Sequence, residues 1–387
     1  MLKFIIKKEY NLKTQRKLIY LIWFAIAIQN EFFLNYKILG LEFCDIAILF
    51  SGIFLIILYN KSYKLERYVI LSFLYILMIA IISYLSLGTS SFNVFRDIRN
   101  FVFLLFSFMI FSQTKIEKTF LKKMFITCGV INSFTYLLFS ESIDVRNITV
   151  IIWISAISFM VILLDKEKKP FYYYGIAIFN LVIIMLSQTR TVLIPVIFTF
   201  VILIFRYVRK FKIQKLIIYG IMIFTVFLML YELGLIDTIL KRFELENVFG
   251  LNSTLTLRTD SVKYNFSGFS IFNWLFGTGF GKEILYYHNF GGEYMLAVGT
   301  DLEMLVPNYI MKLGIIPFII MIGFIAKRIT MRRHIQKSEF HKLISIVLIG
   351  LLSGGMISGL VGPEASVIIG ALFGLTCNIN IMEKNNV

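Results

Sequence analysis

The sequence predicts an all-α fold, a polytopic integral membrane protein of about twelve transmembrane helices with one large outer loop, and three observations predict it. The chain of 387 residues is 58% hydrophobic and 16% charged, with a mean hydropathy of +0.80, far more apolar than a soluble domain. Long uncharged runs of the size a bilayer requires recur along it. The positive charges collect in alternate connections between those runs.

The runs fall at about 18–34, 43–59, 68–87, 99–113, 120–139, 148–164, 171–186, 192–205, 216–233, 304–326, 343–360 and 365–380. The first follows the basic stretch MLKFIIKKEYNLKTQRK. No small-residue cleavage site comes after it, so it reads as a retained span and not a removed signal peptide. It trails into QNEFF, and the fourth and eighth runs are shorter than the roughly 20 apolar residues a bilayer usually needs. An even count keeps the charge alternation intact. With the N-terminus in the cytoplasm, segments 2–17, 60–67, 114–123, 165–170, 206–215, 327–342 and 381–387 lie inside and hold 28 of the 39 Lys and Arg. The formal net charge of +16 therefore reports topology, not a nucleic-acid-binding face. The whole chain, 1–387, reads as one domain in the cytoplasmic membrane with both termini cytoplasmic. Cys44, Cys128 and Cys377 all fall within runs without CxxC spacing, and packing is their default role.

One segment breaks the rhythm of short connections. Residues 234–303 form a long polar stretch on the outer side, and polar mass of that size points to work done there. It opens with GLIDTILKRFELENVFG, where Ile236, Ile239, Leu240 and Phe243 recur at helical spacing and predict an amphipathic helix on the membrane surface or over a cavity. Further on, LFGTGFG places Gly277, Gly279 and Gly281 where backbone must turn sharply or approach something closely. No βαβ unit surrounds these glycines, so they are not a dinucleotide fingerprint.

Four elements taken together resemble the O-antigen polymerase and ligase superfamily, the Wzy-type polysaccharide polymerases. They are SQTR at the end of a middle run, LTLR at the start of a helical segment in the loop, the glycine turn LFGTGFG, and TDLEMLVPNYIMKLGIIP leading into the tenth run. The family often places His-Asn just before its last motif helix; here Asp301 holds that place and His288-Asn289 lies earlier in the loop. Thr189 stands where a second serine is common. The resemblance implies a GT-C-like glycosyltransferase that joins oligosaccharide repeat units carried on polyprenyl diphosphate, as in O-antigen or capsule biosynthesis. It also implies partners: the lipid-linked oligosaccharide, membrane lipid, and a chain-length regulator and flippase of the same pathway.

A diphosphate leaving group brings about two negative charges to the membrane surface, and cations that hold it ease its departure. Arginine suits the task because its planar fork grips phosphate oxygens in pairs and stays charged when partly desolvated. Arg190, in the polar turn between two uncharged runs, and Arg258, in LTLR, are the main candidates. For Arg190 the alternative is an interfacial side chain that anchors helix ends to lipid phosphates. Arg96 and Arg99 flank Asp97 in NVFRDIRN, as further diphosphate contacts or as a local Arg–Asp pair. The acceptor hydroxyl needs a proton acceptor near the outer surface. His334 and His341 lie in an inner segment, which leaves His288, with Asp301 close behind and Glu293, Asp260, Glu303 and Glu364 as competitors.

No DxD, His pair at helical spacing or cluster of carboxylates marks a metal site in the sequence, and no cofactor is expected. Within enzymes the alternative is an O-antigen-type ligase. Outside them it is a lipid-linked oligosaccharide flippase or transporter, whose folds carry internal repeats and mid-membrane charges that this sequence does not show. The topology is directly testable. A reporter fused near Asn265 is expected to be active only as an extracytoplasmic enzyme, and one near Lys210 only as a cytoplasmic one; the reverse pattern would overturn the assignment.

Overall fold

The computed structural model describes residues 2–29, 37–38, 41–58, 67–86, 88–139, 152–167, 169–187, 189–208, 213–232, 234, 236, 254–290, 293–302, 304–331, 338–355, 362–378 and 381. Within them the chain is all-α apart from two short antiparallel pairs. Helix α1 (Leu2–Ala27) leads to β1 (Lys37–Ile38) and β2 (Leu41–Glu42), then to α2 (Phe43–Leu58), α3 (Arg67–Ser86), α4 (Ser91–Gln113), α5 (Lys118–Phe139), α6 (Trp153–Leu164), α7 (Tyr172–Leu186), α8 (Arg190–Val208) and α9 (Ile213–Glu232). The long connection contains α10 (Thr254–Ser267), α11 (Ile271–Phe276) and a hairpin of β3 (Ile284–Phe290) and β4 (Glu293–Gly299). Four helices complete the chain: α12 (Leu305–Leu313), α13 (Ile315–Met331), α14 (Glu339–Gly355) and α15 (Pro363–Cys377).

The helix ends sort into two sets. At one end Arg16 meets Glu117 at 2.5 Å, Lys122 bridges Asp165 at 3.0 Å and Glu167 at 2.9 Å, and Lys166 pairs with Glu339. There Arg206 donates to Leu164 O, and Asn378 to the carbonyls of Phe111 and Thr114. At the other end Asn132 donates to Ala27 O, Tyr136 to Leu186 O, Arg99 to Asp45 and Gln29 to Glu364. The basic connections 114–123 and 165–170 thus share one end with the start of α14, while α4, α8 and α15 begin at the other.

Helix α6 lies at the centre, buried at every residue. The polar side chains it needs are mutually satisfied. Ser155 Oγ bonds Asn132 Oδ1, Ser133 bonds Asn180 Oδ1, and Asn180 Nδ2 donates to Ser158, each at 2.9 Å. Helices α4 and α15 run side by side in the most extensive helix contact, with Phe108 stacked on Phe373 at 4.8 Å. The outward faces are as apolar as the core. Helix α3 exposes Ile70, Leu71, Phe73, Leu74, Met78 and Leu85, and α9 exposes Ile217, Ile221, Phe224, Phe227 and Tyr231.

Among the described residues no single helix is long and apolar enough to cross a membrane; α12 and α13 pass that test only together, as a pair bent by 120°. The expected span 304–326 is therefore two helices, because Gly314 takes φ 86° and ends α12. Helix α4 starts eight residues before the expected 99 and absorbs NVFRDIRN into its first turns. The short eighth run is lengthened the same way, since α8 takes in Arg190 and Thr191 at its start. The amphipathic helix expected from Gly234 onward lies outside the described residues except for positions 234 and 236.

Candidate functional site

Two buried polar clusters occupy the end opposite the basic connections, and α4 carries part of both. The first centres on Lys312, in the last turn of α12. Its ammonium lies 2.8 Å from Asp97 Oδ1, with both side chains 1% exposed, and it also pairs with Asp301. Asn308, one turn earlier on α12, donates to Asp301 Oδ1 and accepts from the Leu302 amide, so the residues before α12 fold back onto it. Arg96 donates to Thr300 Oγ1 at 2.6 Å on the same side.

The glycine turn closes this cluster. Gly281 N donates to Asp97 Oδ2 and Phe280 N to Ser83 Oγ, each at 2.8 Å, while Thr278 bonds Met311 O through both its amide and its hydroxyl. Gly277 and Gly314 interlock. Both have positive φ, 81° and 86°, and a Cβ on Gly277 would stand 2.4 Å from Lys312 O while one on Gly314 would stand 2.2 Å from Leu275 O. Only glycine combines that backbone conformation with that approach. The break between α12 and α13 and the end of α11 are thus fitted to each other.

The second cluster lies one helical turn further along α4. Arg99 bonds Asp45 at 2.6 Å and reaches Glu42 at 3.7 Å, and the Glu42 amide donates to Asp45 Oδ2. Gln29 Nε2 donates to Glu42 Oε2 at 3.2 Å and to Glu364 Oε1 at 3.4 Å. These residues come from the end of α1, β2, the start of α2, α4 and the start of α15.

The structure revises the reading of NVFRDIRN. Asp97 pairs with neither flanking arginine, because residues one and two apart on a helix point in different directions. Asp97 turns to Lys312, Arg99 to Asp45 and Arg96 to Thr300. Asp301 reaches the cluster as an ion-pair partner. Burial pushes its carboxyl upward, but the Lys312 ammonium, hydrogen bonds from Lys312 and Asn308, and the Arg96 charge outweigh that and hold it below the usual carboxylate range. A carboxylate held this way is a weak proton acceptor at neutral pH.

Arg190 opens α8 at this same end, where Gly354 of α14 packs against the neighbouring Thr191 carbonyl. Arg258 stands half-buried on α10, which Asn265 ties to the Leu285 carbonyl of the hairpin. His288 stands in β3 opposite Met295. Gly277, Gly279 and Gly281 are all buried, Gly277 against the Lys312 carbonyl and Gly281 through its amide on Asp97.

Sequence reasoning passed over Lys312, Asp97, Asp45, Glu42 and Gln29 as site residues. A signal existed: a lysine inside the apolar run YIMKLGII is almost never buried without an anion. The hairpin was also signalled, by Gly291-Gly292 between two alternating segments.

The chain matches no family model, and no curated protein or solved structure is significantly similar to it. The site therefore stands on its own geometry, and that geometry makes a prediction. Lys312→Met strands Asp97 as a buried, unpaired carboxylate, which is expected to cost about 3–5 kcal/mol of stability. The measurement is the thermal midpoint of the purified protein. Adding Asp97→Asn to Lys312→Met removes the stranded charge and is expected to recover most of the loss, whereas a single variant as stable as the wild type would refute the ion pair's role.

Proposed function

We propose that the chain is a polytopic membrane enzyme of the cytoplasmic membrane that joins polyprenyl-diphosphate-linked oligosaccharide repeat units at the outer face, a Wzy-type polysaccharide polymerase. The observation that carries this reading is the interlock of Gly277 with Gly314. The two segments involved, LFGTGFG and TDLEMLVPNYIMKLGIIP, each resemble a family motif, and they pack as one piece at the end where SQTR opens α8. The apolar outward faces of α3 and α9 support the membrane setting, since exposed apolar surface of that extent needs a partner, and lipid is a suitable one.

The chemistry follows from the groups present. The acceptor hydroxyl attacks the anomeric carbon of the donor's reducing-end sugar, the bond from that carbon to the diphosphate oxygen breaks, and polyprenyl diphosphate leaves with the electron pair. Arg190 and Arg258 are the proposed grip on the diphosphate. Arg99 is already engaged by two carboxylates, and Arg96 stands beside Thr300 and Asp301, so both serve here as framework. Of the proton acceptors on the loop, His288 is preferred to Asp301, which Lys312 holds ionised.

Deleting the gene is expected to leave a surface glycan capped at one repeat unit, because export of single units continues without polymerisation. Absence of surface glycan would instead favour a flippase, and unchanged long chains would exclude the polymerase. Arg190→Lys keeps the charge but loses the planar fork, so glycan length is expected to collapse at normal membrane abundance. Long chains from that variant would reduce Arg190 to an anchor of helix ends.

A further inference from the structure

Helix α11 carries an apolar surface that the protein leaves uncovered. None of its six residues is buried, and Ile271, Phe272, Trp274, Leu275 and Phe276 are all exposed, Ile271 at 80% and Phe272 at 67%. On a loop in water, a surface of this kind is an unmet interaction site. The contacts of α11 give its level. Tyr75 lies on α3 about 12 Å below Ser83 along the helix, and its hydroxyl donates to the Leu313 carbonyl. The next residue, Gly314, is the one pressed against the Leu275 carbonyl and Phe276 Cα at the end of α11. Helix α11 therefore ends level with the stripe of exposed side chains that α3 presents through Leu71, Leu74, Met78, Ile81 and Ile82. It also packs against α13, where Ile316, Ile319 and Ile320 are exposed in turn. The apolar surface of α11 is thus continuous in level with the outward faces of two long helices.

The backbone that follows meets the demand hydrocarbon makes. A non-helical stretch at membrane depth is tolerated only where protein buries it and satisfies its amides. Residues 277–281 are buried throughout. Gly277 N donates to Asn273 O, Thr278 N to Met311 O, Phe280 N to Ser83 Oγ and Gly281 N to Asp97 Oδ2. Beyond the turn the chemistry changes. Phe266 and Phe269 gather around Trp274 with ring centroids at 5.0 and 5.5 Å, and Lys282 Nζ stands 5.8 Å from the centre of the Phe269 ring. Aromatic rings beside a lysine are the composition of a membrane–water boundary.

We propose that α11 and the turn LFGTGFG form a re-entrant segment. The loop dips from the outer face into the outer leaflet, α11 lays its apolar side chains against lipid acyl chains, and the buried glycine turn carries the chain back out. The partner of this surface is the hydrocarbon of the bilayer. The proposal rests on the membrane setting proposed for the chain and not on the polymerase activity.

The chain holds three tryptophans, and Trp23 and Trp153 are buried, so Trp274 is the one that a quencher in lipid or water can reach. The test uses the full-length protein reconstituted in phosphatidylcholine vesicles. Subtracting the emission of Trp274→Phe from that of the wild type isolates Trp274. Exchanging the lipid for one brominated on its acyl chains is expected to remove most of the Trp274 emission, whereas iodide on both sides of the membrane leaves it unchanged. Phe272→Trp in the Trp274→Phe background is expected to behave the same way, because both side chains are exposed on α11. Quenching by iodide and not by brominated lipid would overturn the proposal by placing α11 in water. Resistance to both quenchers would overturn it by showing that protein, such as a second copy of the chain, covers the surface. Failure of the membrane setting is distinguished by alkaline carbonate, which would then strip the wild type from native membranes. Protein that carbonate leaves in place, with Trp274 open to iodide, would sink the re-entrant segment alone.

Discussion

The ammonium of Lys312 between Asp97 and Asp301 is the interaction on which this end of the molecule depends. A lysine 1% exposed survives only because two carboxylates meet it, and each carboxylate brings a separate piece of chain. Asp97 fixes the start of α4 and holds the amide of Gly281; Asp301 fixes the chain entering α12 through Asn308. The depth of α12 follows from this contact, since Tyr75, two turns below Ser83 on α3, donates to Leu313 O. Once α12 stops there, the chain must turn within one residue, and Gly314 is the residue that can do so. The loop then gains its own small core, where Ile284, Leu302 and Met311 gather Val262, Phe266 and Phe269 of α10 and its following turn.

Charge divides the labour at this end. The two clusters hold Glu42, Asp45, Asp97, Asp301 and Glu364 against Arg96, Arg99 and Lys312, an excess of acid. Such a surface does not attract a diphosphate by itself. On the polymerase reading, Arg190 and Arg258 therefore carry the anion, and the buried clusters position the backbone around them.

The helical architecture was legible in the sequence because apolar runs and basic connections are long, repeated signals. The limits of each run were less so. The start of α4 was missed because NVFRDIRN reads as polar loop on composition, while in space each of its charged residues has a partner from another element. Those partners lie 54 to more than 200 residues away, and no local rule could nominate them. The break at Gly314 was missed for a related reason: a glycine in an apolar run is ordinary until another backbone is found pressed against it. The glycine turn itself was read correctly as a place of close approach, though what it approaches required the fold.

On the proposed membrane setting, apolar burial no longer discriminates inside from outside, since lipid tails are as apolar as leucine. The outward faces of α3 and α9 and the fully buried α6 would then be equally at ease in hydrocarbon, and packing must be specified by other means. The interior supplies them. The Asn132, Ser133, Ser155, Ser158 and Asn180 network joins α5, α6 and α7 through groups that would be unsatisfied if separated. Gly370 and Gly374 bring α15 against the backbone of α4 closely enough for Phe108 and Phe373 to stack. That second contact matters for the site, because α4 and α15 are the helices that deliver Arg99 and Glu364. The position of the buried acids is thus set several turns away, by two glycines and a pair of rings, so substitutions there would act on the site without touching it.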